Sequence, residues 1–296
     1  NAFTSEAKPA MIFTLGVLVV AILAALLAWG RLGYHLKLVG PTKDNYRGLP
    51  IFSASGVILI AVEALVVANV YWGFSASIYG SHALAVLCLV AIFGLLGWID
   101  DTKAQSLAGG FEGHIRASLT QRSMTTGLMK LVGGVVVAFF AVWIADISEG
   151  LVELTRCAAI VALGANLLNL FDRAPARSSK ISLLWFLLLF VPVLVWGDSY
   201  SMLHLVWAAG VVGASIGLAP SELLERHMQG DTGVNPTGAV LGFCTVLVSG
   251  NLVQWGVLVI LALLNLLSEK VSFSSVIERN ALLSRIDRAG LRPRGI

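Results

Sequence analysis

Long apolar segments alternate with short polar connections over most of this chain. A segment of about 20 apolar residues is long enough to cross the ~30 Å hydrocarbon core of a bilayer as a helix. The pattern therefore predicts an all-α fold, a polytopic transmembrane helical bundle of about nine to ten spans. The boundary between the last two segments, near 249–251, is the least distinct. The segments, of which the eighth is short, lie near 11–30, 51–73, 82–99, 124–145, 152–171, 181–197, 202–218, 236–249 and 252–268.

Lysine and arginine occur almost entirely in alternate connections. Because basic residues are retained on the cytoplasmic side, the N-terminus is predicted outside and the C-terminus in the cytoplasm. We expect an extracytoplasmic segment at 1–10, a single transmembrane domain at 11–270 and a cytoplasmic, interfacial amphipathic tail at 271–296. The basic connections are 31–50, 100–123, 172–180, 219–235 and the tail from 270, whereas 73–81, 146–150 and 198–201 contain no Lys or Arg.

The composition agrees with a membrane protein and excludes several other classes. The chain is 57% hydrophobic and only 12% charged, whereas a soluble domain has about 25% charged residues. Its net charge of +3 is spread over many connections, so no basic patch for a nucleic acid is expected. Cys88, Cys157 and Cys244 lie inside apolar segments, and their spacing fits neither a disulfide framework nor a zinc site.

Three acidic clusters lie at segment ends that the charge pattern places on the cytoplasmic face. Asp100 and Asp101 end the third segment, Asn169 and Asp172 end the fifth, and Asp231 precedes the eighth. Carboxylates near a bilayer are costly and usually functional. Oxygen ligands of this kind suit Mg²⁺, so the clusters together indicate a magnesium site for phosphate chemistry on a lipid.

Each cluster also has a simpler explanation when it is considered alone. A polar helix end, hydrogen bonding between helices or a glycine-rich turn would account for one of them. A secondary transporter is the main rival class, because it also combines many spans with intramembrane polar residues. A catalytically inactive, lipid-binding relative is the third possibility.

The ordered set of motifs resembles the polyprenyl-phosphate N-acetylhexosamine-1-phosphate transferases over roughly residues 10–270. This superfamily includes the phospho-N-acetylmuramoyl-pentapeptide transferase and the bacterial N-acetylglucosamine-1-phosphate transferases. The motifs that carry the resemblance are Asp100-Asp101 followed by Lys103, the run from Asn166 through Asn169 to Asp172, Gly230-Asp231, the loop from Asn45 and Arg47 to Gly56, and Thr125 to Lys130.

The resemblance implies transfer of a sugar-1-phosphate from a UDP-sugar to undecaprenyl or another polyprenyl phosphate, with release of UMP. It implies a Mg²⁺ cofactor, with Mn²⁺ as the alternative, and an active site at the cytoplasmic face of the plasma membrane. The pathway would be cell-envelope glycan synthesis, and a homodimer embedded in membrane lipids is one possible assembly.

The resemblance also assigns roles to residues. Asn169 and Asp231 would bind the metal, with Asp172 organising the metal or nucleotide pocket. Asp100 and Asp101 would lie near the metal and the lipid phosphate, which one of them would orient or deprotonate. Lys130 would neutralise developing phosphate charge. The candidate substrate-binding residues are Asn45, Arg47, Lys103, Asn166, Arg177, His227 and Asn235.

The chain departs from the family pattern at three places. Met228 occupies the position of a Phe that packs on uracil, and His227 beside it is a candidate substitute or a surface histidine. The basic run 173–180 replaces an acidic, glycine-containing one, where Arg177 would grip a phosphate or act as a membrane anchor. An arginine-rich tail at 276–288 stands in place of a histidine-rich loop. These differences disfavour the pentapeptide substrate and leave the sugar open.

Overall fold

A computed structural model describes residues 7–45, 47–73, 78–102 and 126–291, and almost all of this part is helical. Seven of its helices are long and apolar enough to cross a membrane. The predicted class, a helical multi-pass membrane bundle, agrees with this architecture. Lys103 and Thr125 lie outside the described residues.

Each predicted apolar segment overlaps one described helix, but the first helix, Ala7–Val39, continues nine residues past the predicted end near residue 30. In chain order the elements are α1 Ala7–Val39, β1 Thr42–Asp44, β2 Pro50–Phe52, α2 Gly56–Gly73, α3 Ile78–Thr102, α4 Thr126–Ile144, α5 Leu151–Phe171, α6 Arg177–Trp196, α7 Ser199–Leu223, α8 Asp231–Val248, α9 Asn251–Ser268, α10 Phe273–Arg279 and α11 Ala281–Arg288.

Helix α8 is the central element of the bundle. Every residue from Thr232 to Val246 is buried, and the helix packs against α3, α5 and α7. Gly164 of α5 and Gly238 of α8 face each other so closely that a Cβ on either would meet the other's backbone carbonyl. Small residues allow such close approach between helices. Since its neighbours are protein rather than lipid, α8 can be less apolar than a lipid-exposed helix.

The helices present alternate ends to the two sides of the bundle. One side brings together the C-terminal ends of α3 and α5 with the N-terminal ends of α4 and α8, through contacts made by Asp101, Asn169 and Asp231. At the other side Arg156, near the start of α5, donates to Asn251 at the start of α9, with 2.8 Å between Nη2 and Oδ1. Successive helices therefore run in opposite directions.

A short antiparallel hairpin, β1–β2, occupies the region where the second apolar segment was predicted to begin. Thr42 pairs with Phe52 and Asp44 with Pro50. The following α2 begins at Gly56, five residues later than the predicted segment. The hairpin gains a further backbone contact because Met228 N donates to Phe52 O at 2.8 Å. Pairing with a sequence-distant loop is invisible to a local hydrophobic pattern, which explains the difference.

The tail contains two short helices rather than one. Asn280 interrupts the helical run, and its side chain caps α11 by accepting from Leu282 N at 3.1 Å and Leu283 N at 3.0 Å. Asparagine favours such N-cap positions because its short side chain reaches the unpaired amides of the next turn. The amphipathic character predicted for this segment is concentrated in α11.

Replacing Gly97 by Ala should destabilise the bundle. A Cβ at Gly97 of α3 would overlap the backbone of Asp231 and Thr232 at the start of α8. We expect a loss of about 1–3 kcal/mol from this overpacking, measured as a lower thermal unfolding midpoint in detergent. Gly256→Ala is the matched control, because nothing lies within 4 Å of its Cβ position. Equal midpoints for the two variants would contradict this packing.

Candidate active site

The Asp101 carboxylate caps the N-terminus of α8 from a different helix. Gly230, the residue before α8, makes no side-chain cap. In its place Asp101 Oδ2 accepts from Thr232 N at 3.0 Å and Thr232 Oγ1 at 2.7 Å, and Oδ1 accepts from Asp231 N at 3.3 Å. An anion at this position satisfies unpaired amides and interacts favourably with the helix dipole.

Lys43 of the hairpin completes the environment of Asp101. Its Nζ donates to Asp101 Oδ1 at 2.8 Å, while Asp101 itself is only 3% exposed. Burial of Lys43 opposes its charge, but the neighbouring Asp101, with smaller effects from Asp231 and Asp100, raises the pKa of the lysine above its usual value. Lys43 therefore stays charged, and its contact with Asp101 holds the hairpin against α3 and α8.

The turn before α8 is shaped by a glycine that no other residue could replace without strain. Gly230 has a φ of 65°, in the left-handed region that favours glycine. A Cβ there would also meet Ser53 O and the Asp101 carboxylate. The backbone of this turn is therefore pressed directly against Asp101.

Asp231, at the start of α8, contacts residues from three other helices. Lys130 of α4 forms an ion pair with Asp231 Oδ2. With the Asn169 amide oriented to satisfy both neighbours, its nitrogen donates to Asp231 Oδ1 at 2.8 Å and its oxygen accepts from Lys130 Nζ at 2.6 Å. The Asp100 carboxyl also interacts with Asp231. The residues predicted to be catalytic or metal-binding thus lie together.

Asp172 lies at the end of α5, beside this group. Its carboxylate accepts from Ser178 Oγ at 3.0 Å. Burial raises the pKa of Asp172 to about 7, and the negative charges of Asp231 and Asp101 act in the same direction. Asp172 is therefore electrostatically coupled to the predicted metal ligands.

The donor set fits a hard divalent cation. Mg²⁺ binds through a few carboxylate or amide oxygens and completes its shell with substrate phosphates and water. The Lys130 ammonium already lies between oxygens of Asn169 and Asp231, so this position attracts positive charge. Within the described ranges, no three His, Cys, Asp or Glu side chains form a complete metal-holding group, so phosphates would have to supply the remaining ligands.

Asn45 and Arg47, two predicted substrate-binding residues, are engaged in a structural contact. Asn45 Nδ2 donates to Glu225 Oε2 at 3.1 Å, and Arg47 pairs with Glu225 Oε1 at 2.7 Å. The Asn45 side chain also accepts from the backbone amides of Arg47 and Leu49. These contacts fasten the hairpin turn to the loop after α7.

Asn166 and Arg177 also have partners within the chain. Asn166 Nδ2 donates to Asn265 Oδ1 of α9 at 2.5 Å, which joins two helices. Arg177 forms two parallel hydrogen bonds to the Asp287 carboxylate of the tail, at 2.7 and 2.9 Å. The structure therefore places the guanidinium of Arg177 against the Asp287 carboxylate.

His227 and Asn235 are both buried, with different surroundings. The His227 ring packs on Trp29 with 3.9 Å between ring centroids, and its Nδ1 lies 2.7 Å from Ser55 Oγ. Since His227 is 0% exposed, it is not positioned to stack on a nucleotide base. Asn235, one helical turn below Asp231, is 1% exposed, and its amide atoms have no hydrogen-bond partner among the described residues.

Sequence reasoning missed Lys43 and a buried network beneath the Gly230 turn. Gln229 Nε2 donates to Ser179 Oγ at 2.8 Å and to Glu222 Oε2 at 3.1 Å. Ser215 Oγ donates to Gln229 Oε1 at 3.1 Å. These contacts link α6, α7 and the loop before α8. No spacing of residues along the sequence predicts them.

No protein-family model matches this chain, and no curated protein matches it. The family resemblance therefore rests on the ordered motifs of the sequence alone.

Asp101→Ala should cost far more stability than Asp100→Ala. The first change removes the cap of α8 and leaves Lys43 without its partner, at a cost of roughly 2–4 kcal/mol in unfolding free energy. Asp100 is half-buried and its carboxyl interacts with the Asp231 side chain, so its removal should cost less than that of Asp101. Unfolding in detergent measures both variants, and similar losses would refute the capping role.

Because His227 is buried in its neutral form, it should lower the free energy of unfolding of the protein in mild acid. Burial, with a contribution from Lys37, lowers the pKa of His227 to about 3, against ~6.5 for an unfolded histidine. Because the folded chain binds the proton less readily, stability is complete above ~6.5 and falls as pH decreases towards 3, by up to ~1.4 kcal/mol per pH unit. His227→Asn should show a smaller fall in unfolding midpoint than the wild type between about pH 7.5 and 5.5. Equal falls in the unfolding midpoints of the wild type and His227→Asn would contradict this role of His227.

Proposed function

We propose that the chain is a magnesium-dependent transferase that moves a sugar-1-phosphate from a UDP-sugar to a membrane polyprenyl phosphate. The observation that carries the proposal is the convergence of Asp100, Asp101, Asn169, Asp231 and Lys130 at one end of the bundle. A binding site for a hydrophilic nucleotide and a lipid headgroup belongs at such an end, where water and membrane meet.

The proposed topology has nine spans, with the N-terminus outside and the C-terminus in the cytoplasm. It is supported by the alternating helix directions and by the distribution of basic residues. Lys8 and Arg156 are the only lysine and arginine among the described residues at the end opposite the acidic group. The basic end would face the cytoplasm by the positive-inside rule, which gives the site access to soluble nucleotides.

In this proposal, Asn169 and Asp231 hold the metal with Asp100 nearby, and Asp172 organises its surroundings. The ion would neutralise phosphate charge and polarise the phosphoryl group under attack. Lys130 holds Asp231 and Asn169 together and supplies a second positive charge for the nucleotide diphosphate. Bringing two anionic substrates together requires cations of this kind.

The two adjacent aspartates, Asp100 and Asp101, have different roles in this proposal. Asp101 accepts four hydrogen bonds from Lys43, Asp231 and Thr232, so we assign it a positioning role. Asp100 is assigned to contact the lipid phosphate. An oxygen of that phosphate would attack the sugar-linked phosphorus of the nucleotide sugar. A new P–O bond forms, the bond to the UMP oxygen breaks, and UMP leaves.

The test is UMP release by purified protein supplied with undecaprenyl phosphate, Mg²⁺ and a panel of UDP-N-acetylhexosamines. Asp231→Asn should reduce the rate by at least ~100-fold, because it removes charge at the reacting phosphate, while unfolding measurements confirm that it folds. EDTA should abolish transfer and added Mg²⁺ or Mn²⁺ should restore it. Asp198→Asn is the matched control, because Asp198 caps α7 at the opposite end.

Two outcomes would overturn the proposal in favour of its rivals. Uptake of a nucleotide sugar into liposomes without UMP release would identify a transporter. Binding of polyprenyl phosphate with neither uptake nor release would identify an inactive relative.

A further inference from the structure

The tail is fastened to the start of α6 by an arginine in the interior. Arg177 donates through Nε and Nη2 to both oxygens of Asp287, and through Nη1 to Ser274 Oγ at 2.8 Å. Its side chain is only 5% exposed, and that of Asp287 is 13% exposed. A planar guanidinium that binds a carboxylate through two parallel bonds fixes orientation as well as distance.

Lys180 adds a second attachment at the C-terminus of α11. Its Nζ donates to the carbonyl oxygens of Ile286 at 3.1 Å, Asp287 at 2.6 Å and Ala289 at 2.9 Å. A cation at this position satisfies unpaired carbonyls and interacts favourably with the helix dipole. The orientation of α11 is therefore determined by two residues of α6.

The same attachment region adjoins the candidate active site. Phe273 of α10 stacks on Phe171 with 5.1 Å between centroids, and Phe171 directly precedes Asp172. Ser178, next to Arg177, donates to Asp172, and Ser179 accepts from Gln229 below the Gly230 turn. Displacement of the tail would therefore act on the residues that hold Asp172.

The outer side of α11 is apolar and has no cover within the described residues. Leu282, Leu283 and Ile286 are 66%, 42% and 53% exposed, and their spacing places them on one side of the helix. Three exposed arginines, Arg279, Arg285 and Arg288, accompany this surface. Apolar residues bordered by arginine fit the interface of an anionic leaflet, where the apolar side chains penetrate and the cations meet headgroup phosphates.

We infer that α10 and α11 form a strap, which anionic lipids hold against the turn between α5 and α6. The Arg177–Asp287 ion pair is the contact through which this strap positions Asp172. The lipid-binding part stands without the proposed function; only the consequence for catalysis depends on it. Arg177 and Asp287 are accordingly positioning residues. Each basic residue near an anionic leaflet should favour the seated tail by about fivefold.

The lipid contact is tested by a polarity-sensitive, thiol-reactive fluorophore attached at position 283 of the Leu283→Cys variant. The wild type, treated in the same way, gives the background from its native cysteines. In nanodiscs containing anionic phosphatidylglycerol the emission should shift to shorter wavelength than in phosphatidylcholine alone. Replacing Arg279, Arg285 and Arg288 together by Gln should abolish the difference, whereas Lys270→Gln, an exposed control at the end of α9, should retain it. Identical spectra in the two lipids would overturn the inference.

The link to the site is tested by charge exchange. Arg177→Asp and Asp287→Arg should each expose the tail to protease and lower UMP release about tenfold or more, and the double variant should recover both properties in part. Recovery of protease resistance without recovery of turnover would refute the positioning role. If the wild type releases no UMP with any nucleotide sugar, the proposed function fails, while the fluorophore and protease measurements still decide whether the strap exists.

Discussion

A carboxylate removed from water needs several partners, and Asp101 finds them in two other parts of the chain. Its own helix is α3, its hydrogen-bond donors begin α8, and its counter-ion, Lys43, comes from the hairpin. An isolated buried charge is strongly destabilising. Loss of either partner would leave the buried Asp101 charge uncompensated, which makes this contact the point on which the site's geometry depends.

The position of Asp231 follows from that constraint. Because Asp101 holds the backbone amides of Asp231 and Thr232, the first turn of α8 is fixed before any substrate arrives. The Asp231 side chain then extends towards Lys130 and Asn169. For the proposed phosphoryl transfer such preorganisation would be favourable, because charged groups that are held in place before a substrate binds need little rearrangement.

Neighbouring acids in this chain therefore have different physical roles. Asp101 is nearly inaccessible and serves the fold, whereas half-buried Asp100 adjoins Asp231. The basic residues divide in a similar way. Lys130 belongs to the acidic group, while Arg177 and Lys180 hold the tail. Charge alone cannot distinguish these roles, since each depends on which other segment lies opposite.

The sequence by itself determined the helical bundle and its approximate boundaries, because hydrophobic length is a local property. It also indicated that Asp100, Asn169 and Asp231 belong together. Only the tertiary structure decided that Asp101 caps α8, that Lys43 is its partner, and that Arg177, predicted to grip a phosphate, binds Asp287. Those pairings join residues far apart in the chain, and their strength comes from burial and orientation that arise when the helices pack.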